Sequence, residues 1–573
     1  MCSSPPATQT RRIASARGRP PTSPKLPVAR DWVEVLEGRG LASLASALQQ
    51  WLPTRRWFRG KARTIESVGI FEHISVPTEG EKTFLLLFRV NYIEGDSEMY
   101  VLPIACAFGR RAESIAGKWP QLIVAQVALK RSRKIGLLYD AIVSREFCHA
   151  LLTLMAQRHK IEGHRGELEP ESTGVLQRIR REQGLEIKPK VSKAEQSNSS
   201  IIYDSSVILK FFRRIEPGVN PELEIERFLS ARNFSHSPRL AGALEYHDDG
   251  DRASTLAVLT SFIPGCHDAW EDTLQALNRF YQQVGRLPGK LRLAPPVSQA
   301  GSALLSRGPL PQPPRDLIGS YLQDAKTLGR RTASLHLALA SDPSDPAFRA
   351  EPWNPAAQQS MFESLRDLTR HDLQLLRQRG PTLSPDSQAL AQRVMALEPL
   401  ILRRFEKIIQ QPIAAERIRT HGDFHLGQVL HHGSDFLIID FEGEPAISLE
   451  ERRSKQSALR DVAGMIYSFF YAANAALQKL PRTQFSRVRS EIQADWARYW
   501  SVRVGAAFLR TYLETAGTAP FLPTGELAMK IMLDVELLRK AIYELGYELN
   551  NRPDWINVSF RVLLDLLDSE NPL

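Results

Sequence analysis

The pattern of apolar and polar positions divides the chain into a strand-rich first half and a helical second half. Between residues 65 and 128, runs such as 83–90 and 98–103 are typical of strands. Residues 32–52 and 137–155 have helical spacing, which predicts one helix over each range. Further helices are predicted over 317–340, 356–378, 384–410, 458–477, 483–517 and 526–550. The sequence therefore predicts an α+β fold.

A lysine interrupts a predicted apolar hairpin formed by residues 201–203 and 207–212. A cation within such a strand is costly unless it meets an anion, and a nucleotide phosphate would give Lys210 that partner. Period-two alternation also allows a solvent-facing lysine. The helix that follows from Pro221 supplies carboxylates, and we choose Glu224 as the partner of Lys210. Spacing excludes neither Glu222 nor Glu226.

A polar loop, residues 195–200, precedes the hairpin and contains the expected phosphate contacts Ser197, Asn198 and Ser199. It lacks the glycines of a protein-kinase phosphate loop, so hydroxyl and backbone N–H groups would have to cover the phosphates. The apolar run 256–263 ends at Pro264-Gly265, a break at which two lobes join. We expect adenine to bind the backbone there.

The segment His421-Gly422-Asp423-Phe424-His425-Leu426-Gly427-Gln428 has the spacing of a phosphotransfer site. Asp423 and Gln428 are five positions apart, as are the Asp and Asn of the kinase catalytic loop, and Asp440 follows an apolar strand as the D-F-G aspartate does. Asp423 would orient the attacking hydroxyl and accept its proton, with Gln428 and Asp440 as Mg²⁺ ligands. Glu442 would either contact the metal or support its ligands. Singly each residue also suits a turn or cap, but the set favours phosphotransfer.

One face of the helix predicted over 526–550 mixes cationic, acidic and aromatic residues. These fall at i, i+3, i+4, i+7 and i+8, and they are Lys540, Tyr543, Glu544, Tyr547 and Glu548. Such a face suits a sugar, whose hydroxyls need donors and acceptors and whose C–H faces pack on aromatic rings. The alternative is a partly exposed face with internal salt bridges.

Composition narrows the class of protein further. The 573 residues have a net charge of +10, of which residues 1–30 carry +6 without any acid. This Pro- and Ser-rich tail is typical of a disordered arm, so we expect no nucleic-acid partner. Four scattered cysteines indicate neither disulfides nor zinc and favour a cytoplasmic protein. No apolar run approaches the roughly 18 residues of a membrane helix, and residues 288–314 read as a Pro-rich surface loop.

The chain resembles the maltokinase family from about residue 31 to the end, apart from the Pro-rich loop. The segments that carry this resemblance, in order, are 51–61, 209–214, 217–221, 328–333, 335–337, 421–430, 440–445, 455–457, 460–464, 547–548 and 551–553. The resemblance implies phosphorylation of maltose at its anomeric hydroxyl to give maltose 1-phosphate for α-glucan synthesis. ATP and Mg²⁺ are the implied cofactors, and a trehalose synthase is the implied partner.

The resemblance also implies a bilobal fold like that of aminoglycoside phosphotransferases and protein kinases. We divide the chain into the tail 1–30, an N-terminal cap and β-rich subdomain 31–135, an intermediate region and nucleotide-binding lobe 136–264, and a helical lobe 265–573. His425, Arg460 and Arg552 are implied sugar contacts, beside the helix face. A kinase for glucosamine or an aminoglycoside would share the phosphate-handling residues, and an inactive scaffold protein is the non-enzyme alternative.

Overall fold

The computed structural model describes residues 24–184, 188–192, 197–250, 252–288, 293–295, 304–305, 317–444, 447–480 and 490–567. They fall into two compact units. The first comprises residues up to Ser230 together with Pro238–Pro264, and the second comprises Ala231–Ser237 and the chain from Gly265 onward. Among the described helices, none combines the length and the apolar character that crossing a membrane requires.

The first unit begins with a largely antiparallel sheet in the order β1-β5-β6-β4-β3-β2. Its strands are β1 Lys25–Val28, β2 Ile65–Val76, β3 Thr83–Tyr92, β4 Glu98–Phe108, β5 Ile123–Leu129 and β6 Ile135–Asp140. Helices α1 Arg39–Trp51 and α2 Gly109–Lys118 accompany it. The apolar face of α1, with Leu44, Leu48 and Trp51, is buried in the same cluster as Phe88 and Tyr100 of the sheet.

The second sheet of the first unit has the order β7-β8-β13-β14-β11-β10-β9. Its strands are β7 Ile161–Glu162, β8 Gly166–Ser172, β9 Pro189–Val191, β10 Ser199–Tyr203, β11 Val207–Phe211, β13 Leu240–Asp248 and β14 Ala253–Ser261. The short β12 Arg214–Ile215 joins β4 instead. Helices α3 Arg145–Gln157, α4 Gly174–Gln183 and α5 Pro221–Ala231 complete this region. The predicted hairpin is confirmed as β10–β11.

A buried arginine ties the two sheets of the first unit together. Arg213 Nη2 lies 2.8 Å from Asp140 Oδ2, at the end of β6. Its Nε donates to Ser199 Oγ over 2.9 Å at the start of β10. The guanidinium also lies over the ring of Trp57. Removing one partner of such a pair would leave an uncompensated buried charge, so this contact fixes how the sheets meet.

The second unit is mainly helical. Its helices are α6 Ala269–Arg286, α7 Tyr321–Leu339, α8 Pro355–Arg379, α9 Pro385–Ala396, α10 Glu398–Gln410, α11 Leu449–Arg453, α12 Leu459–Lys479, α13 Ser490–Ala516, α14 Glu526–Asn551 and α15 Ile556–Leu567. The strands β15 His267–Asp268, β18 Val429–His432 and β19 Asp435–Ile438 form one small sheet, and β16 Glu351–Pro352 pairs with β17 Glu416–Arg417. Nearly every described residue of α12 is buried, so it forms the centre of this unit.

Three predicted helices have different boundaries. Residues 137–155 are not one helix, because 135–140 form β6 and α3 begins only after Ser144, whose hydroxyl caps the Phe147 N–H. The helix predicted over 32–52 is interrupted before α1 by Gly38 at a positive φ of 47°. The helix predicted over 384–410 is two helices that meet at Leu397, where Pro399 allows only a new first turn.

The structure shows that the predicted disordered tail ends before residue 25. Lys25–Val28 is a strand that pairs in parallel with β5, so the disordered arm does not extend to residue 30. Leu26 and Val28 alternate with exposed neighbours and are buried, which is the pattern of a half-buried strand. Residues 1–23, residues 483–489 of a predicted helix and most of the Pro-rich loop 288–314 lie outside the described residues.

Candidate active site

Lys210 lies on β11 in the first unit, where it pairs with a carboxylate of α5. Its Nζ lies 2.6 Å from Glu222 Oε2, so the choice of Glu224 as its partner is corrected. Asn220 accepts hydrogen bonds from the backbone N–H groups of Glu222 and Leu223 and so caps the helix. This cap places Glu222 on the buried face of α5, whereas Glu224 lies about 200° further round a helix and is only half-buried.

A second carboxyl group lies one turn further along the same face of α5. Glu226 is 2% exposed, and its Oε2 has no hydrogen-bond partner among the described residues. Burial, reinforced by the negative charge of Glu222, raises the pKa of Glu226 well above its ordinary value. Burial thus favours the neutral form of Glu226, and Glu222 is the carboxylate in contact with Lys210.

The strand register separates the predicted phosphate contacts. Ser200 faces Lys210 across the β10–β11 pair, whereas Ser199 faces Phe211 on the opposite side of the sheet. Because the Ser199 hydroxyl accepts from Arg213, the expected phosphate contact of Ser199 is not supported. Ser197 and Asn198 lie in the bend before β10. The hydroxyl on the Lys210 side is that of Ser200, which period-two alternation could have identified.

Apolar residues on the Lys210 side of the sheet were also missed. Ile202 and Ile208 are paired across β10 and β11, and Thr260 faces Ile208 from β14. Ile202 and Ile208 are only half-buried, although both lie in the interior of the sheet. Such a surface suits the flat face of a nucleotide base.

In the second unit, a loop between β17 and β18 carries Asp423, and a buried aspartate holds that loop. Asp461 on α12 accepts the backbone N–H groups of His421 at 2.7 Å and Gly422 at 3.0 Å. Its Oδ2 also lies 3.1 Å from His336 Nε2. Gly422 has a φ of 88°, a conformation that favours glycine, and it turns the chain just before Asp423. The loop geometry is thus fixed by a buried charge.

Asp423 itself is paired with a lysine from α14. Lys540 Nζ donates to Asp423 Oδ1 over 3.0 Å, and His425 Nε2 lies 3.9 Å from Oδ2. Burial raises the pKa of Asp423, but the positive charge and hydrogen bond of Lys540, aided by His425, more than offset this. The pKa of Asp423 is consequently well below its usual range, and the carboxylate is ionised at neutral pH.

Two further carboxylates come together at the end of the β18–β19 hairpin. Oxygens of Asp440 and Glu442 lie within 4.8 Å of each other. Ile439 N–H donates to the Gln428 backbone oxygen at 3.0 Å, which places Gln428 beside this turn. Asp440 has a φ of 68°, so its backbone is in the left-handed region. Two neighbouring carboxylates provide the hard oxygen donors that Mg²⁺ prefers, so Asp440 and Glu442 fit such an ion, and the side-chain contact of Gln428 stays a prediction.

The predicted face of α14 exists, and its ionic groups are paired. Lys540 lies 2.9 Å from Glu544 Oε1 as well as beside Asp423. Glu548 accepts from Tyr471 over 2.8 Å and lies 3.0 Å from Arg552 Nη2. The rings of the face are also in contact with cations, Tyr543 with Lys540 and Tyr547 with Arg552. The face therefore combines donors, acceptors and aromatic rings beside Asp423.

Two other predicted sugar contacts have internal partners. His425 Nδ1 accepts the Gly427 N–H at 3.0 Å, which leaves Nε2 on the Asp423 side. Arg460 lies 3.1 Å from Glu444, which is also paired with Arg539. Arg460 is thus part of the buried network that holds the segment after Asp440.

Sequence reasoning missed an aromatic group that extends the α14 face. Tyr471 lies against Trp555, with centroids 6.4 Å apart and nearly parallel planes, and against Trp270 at 5.9 Å. Tyr471 also donates to Glu548, which connects the group to α14. The signal available in the sequence was Trp555, two positions after the Asn551-Arg552-Pro553 stop.

The chain matches two family models, which together include Lys210 and the Asp423 loop. Residues 51–143 match the maltokinase N-terminal cap domain, and residues 186–443 match the phosphotransferase enzyme family. The chain joins a maltokinase-type cap to a phosphotransferase domain. Lys210, the Asp423 loop and Glu442 lie within the second match, whereas α14 lies beyond it.

Similar proteins are also kinases. A glucosamine kinase from Streptacidiphilus jiangxiensis is 23% identical over 379 residues, covering 65% of this chain and 72% of that protein. A glucosamine kinase from Mycolicibacterium smegmatis is 24% identical, covering 65% and 78%. A solved glucosamine kinase in complex with glucosamine, ADP and inorganic phosphate superimposes with a TM-score of 0.57 at 17% identity, covering 94% of this chain and 100% of that one. A second crystal form gives a TM-score of 0.58.

These findings confirm the phosphotransferase-like fold that the sequence resemblance implied. They also support phosphotransferase activity, through the match of residues 186–443, in a chain whose residues 51–143 match a maltokinase-type cap.

Proposed function

We propose that this protein is a maltokinase, which transfers the γ-phosphoryl group of ATP to the anomeric hydroxyl of maltose. The observation that carries the proposal is the maltokinase cap at residues 51–143, joined to a phosphotransferase domain whose Asp423 lies beside the α14 face. The product, maltose 1-phosphate, would be a glycosyl donor for α-glucan synthesis. A trehalose synthase is the proposed partner, as the maltokinase resemblance implies.

The chemistry assigned to the chain is mainly positioning. Lys210, held by Glu222, would contact the ATP phosphates. Asp423 would accept a hydrogen bond from the anomeric hydroxyl and take its proton as the new O–P bond forms and the bond from Pγ to ADP breaks. Gln428, Asp440 and Glu442 would hold Mg²⁺, which when bound neutralises phosphate charge. With little covalent work left, orientation and electrostatics account for the rate.

The acceptor would lie on the face formed by α14 and the neighbouring aromatic group. Pyranose rings pack their C–H faces on aromatic side chains, and this face offers Tyr543 and Tyr547. The aromatic group of Tyr471, Trp555 and Trp270 continues beyond Glu548. A surface of this extent suits a disaccharide better than a single ring.

The second candidate is phosphorylation of glucosamine or an aminoglycoside. It is favoured by the glucosamine kinases that resemble the chain over 65% of its length. This reaction would use the same phosphate-handling residues, so only the acceptor distinguishes it. A scaffold role without catalysis would not require Lys210, Glu222, Asp423 and Asp440 together, so their presence argues against it.

The test is ADP release by the purified full chain with ATP and Mg²⁺, comparing maltose with glucose, trehalose, glucosamine and kanamycin. Maltose-dependent release that disappears in Asp423→Ala is the expected result. Asp367→Ala, which changes an exposed aspartate of α8, is the matched control and should retain the activity. Release with another acceptor alone would overturn maltose as the substrate. An absence of release with every acceptor would overturn the kinase assignment.

A further inference from the structure

Three polar side chains, all buried inside the second unit, form a hydrogen-bonded network beside the Asp423 loop. They are His336 of α7, Asp461 of α12 and Tyr512 of α13. The Tyr512 hydroxyl lies 2.9 Å from His336 Nδ1, and His336 Nε2 lies 3.1 Å from Asp461 Oδ2. Buried polar groups are costly unless they are hydrogen-bonded, and each of these groups meets the next. The network therefore connects α13 to the loop through two side chains.

The donors and acceptors of this network can be assigned. The pKa of Asp461 is below its ordinary value, so the ionised carboxylate accepts and His336 Nε2 carries a hydrogen. Burial raises the pKa of Tyr512 well above its ordinary value, so the phenol keeps its proton. Within the described residues, His336 is the hydrogen-bond partner of that hydroxyl. Tyr512 therefore donates to Nδ1, and His336 is the neutral tautomer with its hydrogen on Nε2.

The carboxylate of Asp461 receives hydrogen bonds from both sides. Two of the donors belong to the Asp423 loop itself, namely the N–H groups of His421, at 2.7 Å from Oδ2, and Gly422, at 3.0 Å from Oδ1. The third donor, His336 Nε2, comes from α7. Loop amides alone would let the carboxylate turn together with the loop. The contact from α7 fixes the carboxylate independently, so the position of the two loop amides depends on His336.

Helices α7 and α13 form a close-packed frame around His336. An added Cβ at Gly329 of α7 would lie 2.4 Å from the Phe508 backbone oxygen of α13, so the two helices touch backbone to backbone. The ring of Phe521 lies nearly perpendicular to the imidazole, with centroids 6.1 Å apart. Close-packed interiors leave such a ring little room to turn. The imidazole is therefore held with one nitrogen toward Tyr512 and the other toward Asp461.

We propose that His336 and Tyr512 are positioning residues, which hold the Asp423 loop in its catalytic geometry by fixing Asp461. The proposal rests on the proposed function only in taking Asp423 as the group that receives the acceptor proton. His421 and Gly422 directly precede Asp423, so a displacement of their amides moves the carboxylate that must meet the hydroxyl. A misplacement of about 1 Å at a reacting group can lower turnover about a hundredfold, so even a small displacement is measurable.

The first variant, Tyr512→Phe, removes one hydroxyl and leaves the buried Nδ1 without its donor. We expect kcat to fall about tenfold, as for an unsatisfied buried polar group. The KM for ATP should change by less than about twofold, because the lost contact serves the chemical step. Both constants are measured by ADP release from the full chain.

Tyr281→Phe is the matched control. Tyr281 is also fully buried, and its hydroxyl donates over 2.9 Å to the backbone oxygen of Ala473, which lies on α12 like Asp461. This variant should lose a similar amount of Tm and keep its kcat. An equal loss of kcat in Tyr281→Phe and Tyr512→Phe would overturn the proposal, because general destabilisation would then account for both.

Variants of His336 test whether the effect passes through Asp461. His336→Leu removes both nitrogens and should lower kcat further than Tyr512→Phe. His336→Gln keeps an amide N–H donor at about the reach of Nε2, so it should recover part of the lost kcat. In the Asp461→Asn background, Tyr512→Phe should cause little further loss, as expected for residues that act through one group. Losses that multiply independently would overturn the route through Asp461.

Hydrogen–deuterium exchange, read by mass spectrometry, tests the same network without relying on turnover. Amides of the peptide that contains His421 and Gly422 should exchange faster in Tyr512→Phe and His336→Leu than in the unaltered protein or Tyr281→Phe. Unchanged exchange in both variants would overturn the proposal. If the unaltered protein phosphorylated no acceptor, the proposed function would fail, and the exchange rates would still decide whether His336 and Tyr512 hold the loop.

Discussion

Lys540 reaches from the middle of α14 to donate a 3.0 Å hydrogen bond to Asp423, 117 residues earlier in the chain. The same lysine pairs with Glu544 one turn along its helix. A single buried cation therefore connects the predicted catalytic carboxylate with the predicted acceptor face. The i,i+4 spacing of Lys540 and Glu544 allows the contact between them, whereas the contact of Lys540 with Asp423 is not visible from sequence spacing.

This contact predicts an effect of Lys540→Met on the pH profile of activity. Loss of the positive charge leaves burial as the main influence on Asp423, so its pKa should rise toward or above its usual value. Activity that requires ionised Asp423 is present above that pKa and lost as the pH falls through it. The acid limb of the kcat profile should therefore move to higher pH. An unchanged acid limb in a folded variant would contradict the pairing.

The pairing of Lys210 predicts which glutamate of α5 supports nucleotide binding. Glu222→Gln should raise the KM for ATP by about tenfold, the effect of losing a hydrogen bond to a charged group, and leave the KM for the acceptor nearly unchanged. The two KM values are measured separately by ADP release. Glu224→Gln, on the same helix turn, is the comparison and should have a clearly smaller effect. An equal or larger effect of Glu224→Gln would restore the sequence-based choice.

Because Asp461 holds the Asp423 loop, we predict that Asp461→Asn lowers both stability and turnover. Asp461 receives two backbone N–H groups and His336, and weakening such charge-assisted bonds costs about 1.5–3 kcal/mol. Thermal denaturation should show a lower Tm, and kcat should fall more than the KM for ATP changes. Asp435→Asn, which changes an ion-paired aspartate of β19, is the matched control for turnover. Normal kcat in a destabilised Asp461→Asn would contradict the positioning role.

The pH dependence of stability gives an independent check on Asp461. Burial raises its pKa, but His336 and the backbone of His421 more than offset this, so the folded pKa lies below the ordinary value. The stabilisation is then present above the unfolded pKa and lost as the pH falls through the folded pKa. The difference in Tm between the unaltered protein and Asp461→Asn should shrink as the solution is acidified through that range.

The sequence predicted those parts of the site that depend on local spacing. The spacing of Asp423 and Gln428, the strand before Asp440 and the face of α14 are all fixed within one loop or helix. The ion-pair partners of these residues were harder to predict, because the carboxylate that contacts a given cation depends on which face of its helix is buried. Glu222 rather than Glu224 contacts Lys210 for this reason, and Ser199 contacts Arg213 because strand alternation turns it away from Lys210.

Contacts that hold the Asp423 loop from distant parts of the chain could not be predicted from the sequence. Asp461 lies 40 residues after His421 along the chain, and nothing in its own turn of α12 marks it as a ligand of the loop. The helix predicted over 137–155 failed for a related reason. Its apolar residues fit both the helical and the strand periodicity. Residues 135–140 form a strand because β6 pairs with β4 and β5.

The close approach of α12 to the Asp423 loop predicts that Gly464→Ala impairs catalysis. An added Cβ at Gly464 would lie 2.5 Å from the Phe424 backbone oxygen, closer than any stable contact. One turn further along α12, Ser468 Oγ accepts the Leu426 N–H at 3.2 Å, so the loop cannot move away without losing that bond. The expected cost is about 1–3 kcal/mol of stability, as for other overpacked sites.

Since the displaced backbone is adjacent to Asp423, kcat should fall in Gly464→Ala, and Gly464→Ser should be worse. Gly505→Ala is the matched control, because its Cβ would meet a methyl group of the Leu304 side chain, which can move. Comparing kcat and Tm for these variants separates loop displacement from general destabilisation. If Gly464→Ala and Gly505→Ala lost kcat equally, the loop displacement would not be the cause.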